Sequence, residues 1–176
     1  MARIIPFIPA PPSYPTRTTL LDAAERAFLT AIRWWVDSFR RGEDPVPHLC
    51  RHLHAAGTRD AAFSIDALMA IVARTARQPI AIHCPQCLHL STDETHLMHA
   101  ACLVQAGEGA QAERALRTAL LSGSGAEFAL GPLEGLGDLF ARARLLFSRR
   151  RSPADALSGA GAIETWTPAF PSPTVH

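Results

Sequence analysis

The chain has 176 residues, 17 cationic against 16 acidic side chains, a formal net charge of +1 and 48% hydrophobic residues. A domain of this size buries roughly 70% of its unfolded surface, so two large domains are excluded. Near-neutral balance also removes the strong electrostatic argument for nucleic acid or an anionic membrane, leaving room for a small local basic patch only.

All the cationic residues are Arg, and Lys and Asn are absent, which reads as a coding bias towards Arg and Ala. Helices are therefore assigned from periodicity and caps more than from propensity. The longest apolar run, at 67–73, is far shorter than the roughly 18 residues of a membrane span. Four Cys are too few for a disulfide scaffold, and the expectation is a soluble, cytoplasmic protein.

In chain order, residues 1–17 read as a Pro-rich extended arm. Pro6, Pro9, Pro12 and Pro15 recur at the three-residue repeat of polyproline II. A helical domain is expected over 18–148, followed by a flexible tail over 149–176. The first helix spans about Thr19 to Arg41, with Leu20, Ala24, Ala27, Phe28, Ala31, Ile32, Trp35 and Phe39 on one stripe. Thr19 and Asp22 resemble a capping box, and Gly42 marks the stop. Of the adjacent Trp34 and Trp35, about 100° apart on the wheel, one is expected in the core and one at its rim. A second helix is expected over Val46 to Ala56, after Asp44-Pro45 and before Gly57. His48 and His52 share one side of it.

The third helix runs from about Thr58 to Ala76, buries Ala61, Ala62, Ile65, Leu68, Met69, Val72 and Ala76, and ends before Pro79. After an extended piece comes His83-Cys-Pro-Gln-Cys87, and then Ser91-Thr-Asp-Glu94, a capping box opening a fourth helix that reaches Ala106. Gly107 and Gly109 lead into a fifth helix, Ala110 to Leu121, expected to form an antiparallel hairpin with the fourth. Ser124 with Glu127 reads as a further box, Gly131-Pro132 as a break, and a sixth helix occupies Leu133 to Phe147. In the tail, only Ile163, Trp166 and Phe170 offer apolar grip for docking. The fold class is thus all-α: one compact bundle of five to six helices, with a central Cys knuckle and Pro-rich termini. The fourth and fifth helices are similar to a tetratricopeptide unit, but no second copy follows, so a repeat superhelix is not supported.

Chemistry concentrates at the knuckle. Cys84 and Cys87 have the C-x2-C spacing that brings two thiolates to one tetrahedral metal. His96, His99 and Cys102 recur at three-residue intervals on the fourth helix, away from Leu97, Met98, Ala101 and Val104. The preferred metal ligands are Cys84, Cys87, His99 and Cys102, with His96 as alternate, holding a structural zinc. This plan resembles a zinc finger over some 20 residues, without room for its β-hairpin and without a base-reading pattern. Two plain readings stand beside it: unmetallated thiols, with Cys102 a small core residue, and a redox pair, which lacks the usual helix start at the second Cys. His48, Cys50, His52 and His54 form a second concentration, read as a solvated polar face.

No phosphate-binding or nucleophile-elbow motif is present, and no catalytic or cofactor-binding residue is assigned. The expected role is binding or regulation, with another protein as partner. Two alternatives are a metal-dependent hydrolase using His96 and His99 with Glu94 as base, and a weak nucleic-acid-binding regulator using the Arg run at 142–151. That run's plainer reading is a solvated helix end.

Overall fold

The computed structural model describes residues 13–150, and among these the chain forms six α-helices and no strand beyond isolated bridges. The Pro6 to Pro12 portion of the arm and the tail residues Ile163, Trp166 and Phe170 lie outside the described residues. No helix among the described residues is long and apolar enough to cross a membrane.

Helix α1, Ala23–Arg40, is capped by Asp22, whose carboxylate accepts from the Glu25 amide while Glu25 reaches back to the Asp22 amide. The capping box is therefore Asp22/Glu25, and Thr18–Leu20, whose last two residues were expected inside the helix, is a 3₁₀ turn. The expected stripe is buried from Ala24 to Trp35, but Leu20 and Phe39 at its two ends are exposed. Trp35 is in the core and Trp34 at its rim, stacked on His48. Helices α2, Val46–Ala55, and α3, Ala61–Thr75, follow. Gly42, Gly57 and Gly107 all take positive φ just past helix ends, the left-handed geometry that glycine adopts at least cost.

Helix α4, Thr92–Gln105, opens on the Ser91/Glu94 box as expected, and pairs with α5, Gly109–Ala119. Helix α6 runs unbroken over Gly123–Arg142, through the expected interruption. Pro132 is tolerated because the only carbonyl it leaves without an amide belongs to Phe128, a surface residue that water can reach. The cap is Ser122, which accepts from the Gly125 amide, so the Ser124/Glu127 box does not form.

After Arg142 the chain leaves the helix at Arg144, a non-glycine residue at φ 58°, and returns over the bundle. Gln105 latches this return, donating to the Gly137 and Leu145 carbonyls and accepting from the Phe147 amide. Phe147 then stacks on Phe140 and meets Phe28 edge-on. Two members of the Arg run are consumed here. Arg149 pairs with Glu108, and Arg150 makes a forked pair with buried Glu25 while lying over the Tyr14 ring. Arg149 and Arg150 are thus ties between chain end and body, not a solvated helix end. At the other end, Thr16–Thr18 pairs antiparallel with Leu88–Leu90 and Tyr14 packs on the core, so the body begins before the expected boundary at residue 18.

Candidate functional site

Cys84 and Cys87 lie on a tight turn closed by the Cys87 amide donating to the Cys84 carbonyl at 3.1 Å. A buried ion pair organises the loop around it. Arg33, on α1, is 2% exposed and Glu94, on α4, is fully buried. The guanidinium grips both Glu94 oxygens, at 2.7 and 2.9 Å, and donates to the carbonyls of Cys87 and His89, each at 2.6 Å. Glu94 accepts two further bonds, from the amides of His83 and Ser91. Each carboxylate oxygen thus takes two donors, which satisfies its lone pairs and leaves none for a base that would activate water. Ser91 and Asp93 complete the binding of the segment, at the Ala81 carbonyl and amide respectively.

The expected zinc ligands are distributed differently. Cys84 is exposed and Cys87 half-buried, whereas Cys102 is buried two turns further along α4 with its sulfur towards the Ser148 carbonyl, 3.7 Å away. Burial pushes the Cys102 thiol above its usual pKa. Among the described residues, no three His, Cys, Asp or Glu side chains gather in a way that could hold a metal ion. The set Cys84, Cys87, His99 and Cys102, with His96 as alternate, is therefore not assembled and does not fit zinc as arranged. The reason is the surroundings of α4: packed by α1, α5 and α6, the helix buries Thr95, Ala100, Cys102 and Leu103 together with the apolar stripe, so it offers no separate donor face.

His52 turns to α1, its Nε2–H donating to the Ala27 carbonyl at 3.2 Å, and His48 stacks on Trp34. This face of α2 docks on α1.

His96 lines a pocket of about 430 Å³ with Arg77, Gln78, Thr92, Asp93, Thr118 and Ala119. Its Nδ1 is buried without a partner among the described residues, and burial lowers its pKa below the ordinary value of 6.5, Asp93 opposing the shift. A histidine whose folded pKa is depressed binds its proton more readily in the unfolded chain, so stability falls as pH drops through about 6.5. His96→Gln is expected to flatten this loss. Urea unfolding at mildly acidic and neutral pH measures it, and an unchanged pH slope in the variant contradicts the assignment.

A groove of about 860 Å³ is lined by Cys50, Arg51, His54, Arg59 and the exposed Phe63, on α2 and the start of α3; a smaller and more aromatic one lies at the C-terminal ends of α1 and α3. There a groove of about 520 Å³ is floored by Trp35, Val36, Phe39, Met69 and Val72, and walled by the extended residues from Gln78 to Ile82. Trp35 and Phe39 stack at 5.0 Å, with Trp35 pinned by its indole N–H to Asp66 and Phe39 left 60% exposed. Arg40 and Arg77 stand on the rim, and neither forms an ion pair among the described residues, although the Arg77 guanidinium donates one bond to the Thr118 carbonyl, at 2.6 Å. The wall has a polarity of its own. Amides of Ala81 and His83 are spent on Asp93 and Glu94, while those of Ile80 and Ile82 have no acceptor among the described residues. Alternate amides bonded to α4 and alternate amides without an acceptor among the described residues have the spacing of a strand edge.

Sequence reasoning placed Trp35, Phe39, Met69 and Val72 in the core stripes and missed the groove. Its only trace in the sequence is Pro79 within Arg77 to Ile82, a segment too short for a sheet and too apolar for an ordinary loop. No protein-family model, curated protein or solved structure matches the chain.

Proposed function

We propose that the chain is a binding module that grips an extended, partly apolar segment of another protein in the groove between α1, α3 and residues 78–82. The observation that carries this reading is the combination of an aromatic floor with a wall whose Ile80 and Ile82 amides have no acceptor among the described residues. Strand addition draws affinity from main-chain bonds at such an edge and specificity from side chains entering pockets at alternate positions. A surface-exposed aromatic above a packed one is also the composition of an interaction hot spot. The two rim arginines favour a segment carrying a carboxylate beside its apolar anchor.

A photo-crosslinking experiment in the host cell tests the reading. With p-benzoylphenylalanine in place of Phe39, irradiation is expected to give a discrete adduct with another protein. The same replacement at exposed Phe128 on α6 is expected to give none. Equal adducts from both positions, or none from position 39, contradict the proposal.

A further inference from the structure

We infer that the chain's own segment Ile163–Thr167 is the resident occupant of this groove, so that a partner binds by displacing it; the inference rests on the groove being the binding site proposed above.

The segment reads Ile-Glu-Thr-Trp-Thr, a run of β-branched and aromatic residues between Gly161-Ala162 and Pro168. Such a run favours the extended form, and Pro168 ends it. In an extended strand Glu164 and Trp166 project to one side, about 7 Å apart. The groove presents a matching pair of features: the Trp35 and Phe39 floor for the indole, and Arg40 or Arg77 on the rim for the carboxylate. On the opposite strand edge, main-chain carbonyls of the segment meet the open amides of Ile80 and Ile82.

Reach is sufficient. Arg150 is held to Glu25 in the first turn of α1, and the groove begins at Trp35, about 15 Å further along that helix. The thirteen residues from Arg151 to Ile163 span up to about 43 Å when extended. That length crosses the distance with slack, so closure of the loop requires no strain.

The test uses the full chain labelled with 5-fluorotryptophan and followed by fluorine NMR, the Trp166 signal being assigned through Trp166→Phe. In the unaltered chain the signal is expected away from the free-indole position, with a small solvent isotope shift, and unchanged on dilution. Phe39→Asp, at an exposed position, and Glu164→Arg, which leaves the helices untouched, are each expected to return it to the free position. A free-indole signal in the unaltered chain overturns the inference. So does a protected signal that is lost on dilution, which makes a second copy the occupant, or one that ignores Phe39→Asp, which places the indole elsewhere. The binding reading fails separately: it falls if position 39 captures no other protein even in the Glu164→Arg chain, and it survives if capture occurs while Trp166 is free.

Discussion

Glu94→Ala is expected to lower stability by about 3–5 kcal/mol, because it leaves the Arg33 guanidinium buried without a counter-charge. The same change removes the α4 cap partner and the acceptor of the His83 and Ser91 amides. Urea unfolding followed by circular dichroism measures the loss, and a change below about 1 kcal/mol contradicts the assigned role. The double replacement Arg33→Met, Glu94→Leu is expected to cost less than Glu94→Ala alone, since no orphaned charge remains. The effect is local as well as global. Residues 81–91 are tied to Arg33, Asp93 and Glu94, so the groove wall at Ile80 and Ile82 loses its backing when the pair is broken.

Gly125→Ala is the second large effect. A Cβ at Gly125 overlaps Oγ1 and Cβ of Thr75, where α6 crosses the end of α3, and the branched Thr75 side chain is itself bonded to the Ile71 carbonyl. Overpacking of this kind costs about 1–3 kcal/mol. Gly123→Ala, at the first position of the same helix, meets only Arg117 Cδ at 3.9 Å, an ordinary contact, and is expected to change stability by less than about 1 kcal/mol. Thermal unfolding is expected to fall clearly for Gly125→Ala and to stay nearly unchanged for Gly123→Ala. Equal shifts contradict the close approach of the two helices.

The apolar stripes of α1 and α3 and the Ser91/Glu94 cap were legible because each is a local pattern repeated over several turns. The α4/α5 hairpin was legible for a related reason, the short link between two such patterns. Arg33 was not legible, since a charged residue on α1 reads as surface until a carboxylate 61 residues away is known to meet it. The metal set is the converse case. His96, His99 and Cys102 share a helical spacing, but spacing alone does not reveal that α4 is surrounded and that Cys102 turns to the Ser148 carbonyl. Pro132 read as a break because its cost depends on whether the carbonyl it strands can reach water, which only the packing of α6 decides. The groove was hidden in the same way. Its floor residues are ordinary stripe positions, and the open edge depends on α4 taking every second amide of residues 80–83.

Amide exchange at Ile80 and Ile82 tests the account most directly. It is measured in the Trp166→Asp chain with and without the synthetic peptide Ile-Glu-Thr-Trp-Thr-Pro-Ala-Phe. On adding peptide, both amides are expected to slow, while those of Ala81 and His83, already bonded to α4, stay as they were. Unchanged exchange at Ile80 and Ile82 under saturating peptide, or protection appearing around Phe63 or Phe128 instead, would contradict the groove as the binding site.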